Sequence, residues 1–500
     1  MNKTMRKRAL LVIIASTMVF LAACGNNIVP KSSVENKDTL AGASIGVQVG
    51  TTGEIYAADY EEKGATVIGY NKINDAILAL KQGKVDCVII DEEPAKNFVS
   101  LNRDIEILPE ELVTEDYAIC VEKSNTALLE DINRALAILE ENGTLESIRD
   151  NYIGANKGMS PYVSPDDIVY DGTLVMATNG TFPPYEYIES GNLVGIDVDM
   201  ATAVCDILGK KLEIMDIEFG AILPAVQAGK ADMGIAGMTV TEERLQSASF
   251  SNPYTTSTQV IIVRNGESDV APLFSYDRFK RNFIDEGRWQ YIVNGLWVTI
   301  RISFVAVILG IIFGFLLAIG RFTCDKTGKC KILNFIMKAY INIIRGIPAV
   351  IQLLIIYYVV FASTNIDAVL VATIAFGINS SAYVAEILRS GLESIDGGQF
   401  EAGRSIGFTY AQTMRIIILP QAIRNVLPAL GNEFIVLLKE TSIAGYIGIR
   451  DLTRQGDNIR SATYDAFMPL IAVALIYLII VMFLSMLVSK MERRLKKDAR

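Results

Sequence analysis

Charge-free runs organise the second half of the chain. Residues 302–319, 346–366, 368–385 and 466–489 contain no Asp, Glu, Lys or Arg, and each is close to or above the length that crosses a bilayer. A fifth apolar segment, around 426–447, is interrupted by Glu433, Lys439 and Glu440; ionisable groups at such depth face a bundle interior or a water-filled path. Five spans are therefore expected.

The first half alternates differently. Residues 44–49 read as a strand running into the turn and helix of GTTGEIYAADYEEKG, 73–82 carry helical apolar spacing, and 86–90 form a buried strand ending on Asp91. Residues 116–121 read as another strand and 126–152 as a helix interrupted at Gly143. The stretch 154–171, GANKGMSPYVSPDDIVYD, is rich in Gly, Ser and Pro and reads as a linker. After it the βα alternation resumes: VMATNGTFPPYEYIESGNLVGIDVDMA is a strand, a Pro-Pro turn and a helix opening after Gly195. A helix over 220–228 and strands over 231–235 and 258–263 follow.

Charge separates the halves further. Residues 40–264 hold about 21 more acidic than basic side chains and residues 265–500 about 7 more basic than acidic. An acidic soluble half beside a membrane half argues against nucleic acid as its partner. Histidine is absent, which removes Ser-His-Asp and Cys-His catalysis, HExxH zinc sites and imidazole ligation. No GxxxxGK[ST] loop occurs; TGKC at 327–330 lacks its first glycine and its hydroxyl residue. The chain holds no P-loop of its own.

Lys3, Arg6, Lys7 and Arg8 precede fifteen uncharged, mostly apolar residues and the stretch Leu21-Ala22-Ala23-Cys24, so residues 1–23 read as a signal peptide. Cys87, Cys120 and Cys205 fall in apolar contexts suited to buried free thiols. Arg321, Lys326, Lys329 and Lys331 follow the first span, and Lys490, Arg493, Arg494, Lys496, Lys497 and Arg500 follow the last, placing both flanks in the cytoplasm. Arg450, Arg454 and Arg460 run against that rule, in a loop that the span count puts outside.

AGMTVTEER at 236–244, with FPPYEY, GIDVDMA, SFSNPYT, GVQVGTTGE and ILPEELVTEDYAI, resembles the periplasmic-type binding proteins for polar amino acids. EAGRSIGFTYAQTMRIIILP at 401–420 is similar to the importer loop pattern EAA, three residues, G, nine residues, IxLP, with Gly403 replacing the second alanine. LAAC resembles a lipobox, which would make Cys24 a lipid-bearing residue. The resemblance, to glutamine- and histidine-type ABC uptake systems, implies a two-lobed α/β type II binding domain. An all-α permease of about five helices at 289–497 would follow it. The order of the binding domain is exchanged: 40–153 resembles the second lobe and the return to the first, and 172–264 the opening of the first lobe. A circularly permuted domain joined by 154–171 is expected; halves paired between two chains are the alternative. A linker of 18 residues reaches at most about 60 Å, and closing so long a loop costs little.

The resemblance also implies a ligand site. Arg244, with Thr239 and the backbone N–H of Thr52, would hold an amino acid's carboxylate; Asp91, with the Gly237 carbonyl and Thr239, would hold its ammonium. Phe182 and Phe219 would wall the side-chain pocket, with Asn179 and Gln48 beside it. Asn179 stands where relatives that bind basic amino acids carry an acid, which favours a polar, uncharged ligand. Residues 394–409, around Glu401, Gly403 and Gly407, would dock into a separate ATPase chain carrying ATP and magnesium, with no cofactor in this chain. Two permease copies around one pathway imply a homodimer. A ligand-gated channel or sensor built on the same binding fold is the alternative, and it leaves the docking pattern unexplained.

Overall fold

The computed structural model describes residues 29–497 apart from 155–156, 190, 268–273, 329, 363–365 and 464. The signal-peptide segment with Cys24, and Lys329 and Arg500 of the basic flanks, lie outside the described residues. The chain forms two compact units whose divisions fall within strands, at Thr114 and at Ser257.

The first unit opens with β1 (Ser44–Gln48), α1 (Thr52–Ala58), β2 (Thr66–Tyr70), α2 (Ile73–Lys81), β3 (Cys87–Asp91) and α3 (Glu92–Leu101), then enters β4 (Ile105–Tyr117). β1 pairs in parallel with β2 and β3. All five residues of β3 are buried, as expected of a strand covered on both faces. Ile73, Ala76, Ile77 and Leu80 of α2 form the buried stripe that their helical spacing demands.

The second unit continues through β5 (Cys120–Glu122), α4 (Thr126–Glu141), α5 (Thr144–Tyr152), β6 (Thr173–Thr178), β7 (Thr181–Phe182), β8 (Glu186–Glu189), β9 (Asn192–Val194) and α6 (Ile196–Ile207). β10 (Lys211–Asp216), α7 (Ile222–Gln227), β11 (Met233–Gly234), α8 (Glu242–Ser247) and β12 (Ala248–Phe250) follow. β13 (Thr255–Arg264) then returns to the first unit's sheet. That sheet runs β2-β1-β3-β13-β4, with β13 antiparallel to β3 and Gln259 opposite Asp91. The second sheet runs β10-β6-β11-β5-β12. β5 is thus laid, antiparallel, between two strands from beyond the linker. Ile132, Leu136 and Leu139 of α4 share one core with Met176, Met200, Val204 and Met233.

The linker is tied down. Tyr162 and Tyr170 donate their hydroxyls to the two carboxylate oxygens of Asp206, at 2.9 and 2.8 Å. Tyr152, just before the linker, bonds Asp199 at 2.9 Å. Three strand readings need correcting. The run 116–121 is broken at Ala118–Ile119, where the backbone leaves one sheet and enters the other. Residues 105–117, not expected to be extended, form a 13-residue strand. The strand expected over 231–235 is two residues long.

The membrane half comprises α9 (Trp289–Thr327), α10 (Lys331–Gly346), α11 (Ala349–Ile355), α12 (Ala368–Glu393), α13 (Gly397–Ser405), α14 (Leu419–Glu440), α15 (Leu452–Thr463) and α16 (Phe467–Lys497), with single turns between some of them. Among the described residues, α9, α12 and α16 are long and apolar enough to cross a membrane, and the bent pair 331–360 makes a fourth if counted as one span. The second charge-free run, 346–366, is therefore not one straight span: the helices on either side of Ile347–Pro348 meet at 108°. Pro348 has no N–H to continue a helix and drives the residue before it to extended backbone, where Ile347 sits (φ −104°, ψ 134°). α14 covers most of the fifth segment but carries Arg424, Glu433, Lys439, Glu440 and an internal Pro428. Glu433 faces the bundle and accepts a hydrogen bond from Ser380 at 3.1 Å, whereas Lys439 is exposed.

Gly310 and Gly314, one helical turn apart on α9, bring it against α12. A Cβ at Gly310 would lie 2.7 Å from Ser380 Oγ, and one at Gly314 would lie 2.7 Å from Val384 Cβ and 2.8 Å from the Ser381 carbonyl. This small-xxx-small spacing lets two backbones approach in lipid. Gly314→Leu should destabilise the purified membrane protein by about 2 kcal/mol or more, seen as an earlier loss of its monodisperse size-exclusion peak on heating; an unchanged midpoint would refute the close packing.

Candidate functional site

The second unit gathers six of the expected site residues. Arg244 lies in the first turn of α8, whose N-cap Thr241 accepts from the Arg244 backbone N–H at 3.2 Å. Its side chain is 9% exposed. Nη1 donates to the Thr239 carbonyl at 2.6 Å, and the guanidinium stacks 5.4 Å from the centre of the Phe219 ring. This holds the planar fork in one orientation, as carboxylate recognition requires.

Gly237 adopts φ +52°, and a Cβ there would come within 3.0 Å of Phe182 and 3.1 Å of Tyr117, so only glycine lets the backbone pass between the two rings. The Thr239 hydroxyl donates to Glu115 at 3.2 Å. Phe182 stacks on Tyr185 with centroids 6.0 Å apart.

Asn179 is turned to its own lobe. It is 2% exposed; its amide donates to the Ile217 carbonyl at 2.7 Å and its oxygen accepts from Thr181 Oγ1 at 2.7 Å. It organises the end of β6 as well as standing beside the expected pocket.

Sequence reasoning passed over the acids beneath this group. Asp197 is fully buried, accepting from the Gly237 backbone N–H at 2.8 Å and from Tyr254 Oη at 2.9 Å. Burial pushes its carboxyl up to about 6, against the pull of hydrogen bonds from Gly237, Glu186 and Tyr254. Its signal was present in GIDVDMA, and that of Glu115 in ILPEELVTEDYAI. Neither stands out without knowing that the fold sets Asp197 against Gly237 and Glu115 against Thr239.

The first unit holds the remaining three. Thr52 opens α1 and accepts from Gln259 Nε2 at 3.4 Å. Asp91 occupies the N-cap position of α3, yet its side chain makes no capping bond, so the ordinary structural role of an Asp after a strand is not the one it takes here. Gln48 is buried and donates to the Asn71 carbonyl at 3.4 Å.

In the membrane half, Gly403 and Gly407 serve different ends. A Cβ at Gly403 would lie 2.7 Å from Thr413 Cγ2 and 2.9 Å from Ile417 Cδ1, so glycine in place of the pattern's alanine lets α13 sit directly on the next helix. Gly407 has nothing within 4 Å of such a Cβ but takes φ +92°, the left-handed turn that reverses the chain. Thr409 and Gln412 then close a capping box. Glu401, Arg404 and Ile406 are left exposed on this hairpin.

Residues 174–492 match the family "Bacterial extracellular solute-binding proteins, family 3". The "Putative glutamine transport system permease protein" of Rickettsia typhi is 38% identical over 207 residues, 41% of this chain and 93% of the relative. The "Arginine transport system permease protein" of Bacillus subtilis is 37% identical over 215 residues, 42% of this chain and 94% of the relative. A crystal structure of an amino acid ABC transporter is 45% identical, covering 41% of this chain and 94% of its own, with a TM-score of 0.39. The chain belongs to the family 3 extracellular solute-binding proteins, joined in one polypeptide to a permease of the amino-acid ABC transporters. Such permeases are transport subunits of the membrane, not enzymes, and work with an ABC ATPase.

Proposed function

We propose that this subunit imports a polar, uncharged L-amino acid, bound by a circularly permuted domain that folds within a single chain. Arg244 and Thr239 take the ligand's carboxylate with the Thr52 backbone N–H; Asp91, the Gly237 carbonyl and Thr239 take its ammonium. Phe182, Phe219, Asn179 and Gln48 set the side-chain specificity. The observation that carries the reading is the Arg244 fork, buried, stacked on Phe219 and held two residues beyond Gly237 by the Thr239 carbonyl. The permutation is supported by β5 and β13, each paired in a sheet whose other strands lie across the linker.

The same reading gives residues 1–23 as a cleaved signal, Cys24 as the lipid anchor, 40–153 and 172–264 as the two exchanged pieces, and 289–497 as a five-span permease with its C-terminus in the cytoplasm. Two copies form one pathway, and Glu401, Gly403 and Gly407 shape the hairpin that meets the ATPase.

Calorimetry of the purified full chain against each of the twenty amino acids tests this: glutamine or another neutral polar amino acid should bind most tightly. Glu115, buried beside Thr239, favours a second reading in which a cationic side chain is neutralised there. Tightest binding of arginine or lysine, lost in Glu115→Gln, would replace the first reading by the second.

A further inference from the structure

Four consecutive residues from the end of β10 onward face two ways. Asp216 and Glu218 point at the permease: Arg454 of α15 donates Nη2 to Asp216 Oδ1 at 2.9 Å and Nη1 to Glu218 Oε1 at 2.6 Å. Ile217 and Phe219 point at the ligand group: the Ile217 carbonyl holds the Asn179 amide, and the Phe219 ring lies under Arg244. The other Asp216 contact closes the circuit, because the same Oδ1 accepts from the Gly180 backbone N–H, next to Asn179, at 3.1 Å.

Arg454 is 3% exposed and is itself oriented, since its backbone N–H is capped by Asp451 at 3.0 Å. Ahead of it, Gly448 takes φ +79° with the Asp216 carbonyl 3.0 Å from where a Cβ would be, so the chain before α15 runs directly over the lobe. Secondary contacts flank this one: Arg450 Nη1 to the Gly191 carbonyl at 3.3 Å and Lys230 Nζ to the Phe361 carbonyl. The arginines that break the basic-inside rule thus have a purpose, two of the three being spent on the acidic binding lobe.

We propose that Arg454 and the segment Asp216–Phe219 form the contact through which this chain's binding lobe reports ligand occupancy to its permease. A shift of Phe219 or Asn179 when the ligand seats moves a segment whose alternate residues are clamped by one buried guanidinium shared between two carboxylates. Such a clamp has little freedom to stretch, so displacement passes to α15 instead of dissipating. Arg454 is a positioning residue, with no contact to ligand. The role rests on the ligand group assigned above, and the test is arranged so that the two fail separately.

The full chain, assembled with its ATPase in liposomes, is assayed for ATP hydrolysis with and without an equimolar mixture of the twenty amino acids. Glu218→Gln, at the less buried end of the clamp, should reduce the stimulated rate about fivefold, within the range such networks carry. Its unstimulated rate and its amino-acid-induced rise in melting temperature should remain those of the parent. Arg454→Gln should do the same more strongly, and Arg454→Lys, which keeps a positive charge between Asp216 and Glu218, should retain part of the stimulation. Full stimulation in Glu218→Gln, or equal losses of stimulated and unstimulated rates, would overturn the proposal. Loss of the amino-acid-induced melting shift in Arg244→Ala alone speaks only to the ligand assignment.

Discussion

Arg244→Ala should lower amino-acid affinity by about 30-fold or more, because truncating one partner of a buried, hydrogen-bonded charge pair costs about 2–5 kcal/mol. The guanidinium is buried, stacked on Phe219 and anchored by the Thr239 carbonyl, so its donors are set before any carboxylate arrives and little entropy is lost on binding. Arg244→Lys should recover only a small part, since an ammonium can neither stack in the same way nor donate as a planar fork. Titration calorimetry of the full chain in nanodiscs reads the affinity, and a melting curve of the same sample separates lost binding from lost fold. Affinity within threefold of the parent in a well-folded Arg244→Ala protein would remove Arg244 from the site.

Deleting residues 29–153 should leave residues 172–257 unable to fold. That piece contains β6, β10, β11 and β12 but not β5, the strand that pairs both β11 and β12. It also loses the α4 and α5 residues, Ile132, Leu136, Leu139 and Ile148, that cover Met200, Val204 and Met233. Removing a central strand and one covering layer exposes a face that no stable layer architecture tolerates. Limited proteolysis should therefore digest 172–257 in the truncated chain while sparing the membrane helices. A single cut in the linker between Tyr162 and Tyr170 should do little, because each end stays bound to Asp206. A compact, protease-resistant 172–257 in the deletion protein would mean that the pieces do not depend on each other as the shared sheet requires.

Much of this was legible along the chain. Helical spacing placed 73–82 and 126–152 to within a residue or two of α2, α4 and α5, because stripes at positions such as Ile73, Ile77 and Leu80 have one stable orientation against a core. The charge-free runs located α9, α12 and α16. Where reading failed, the deciding partner lay far away in sequence. β4 carries the exposed Glu111 and the mixed pattern of ILPEELVTEDY, yet it is extended over 13 residues because β13, some 150 positions later, supplies its neighbour. The run 346–366 looked like one span because apolarity is blind to direction, and Pro348 bends it.

By itself the sequence carried an acidic, histidine-free first half, a basic membrane half, and the motifs whose resemblance to binding proteins and permeases pointed to the class of protein and singled out Arg244, Asp91, Glu401 and Gly407. Only the tertiary structure decided that Arg454 meets Asp216 and Glu218, that Asp197 sits beneath Gly237, and that Asn179 spends its amide on Ile217. Those facts depend on which distant segments share a core. Local propensity and periodicity describe a residue's own element, whereas the partner of a buried charge is chosen by packing between elements hundreds of residues apart.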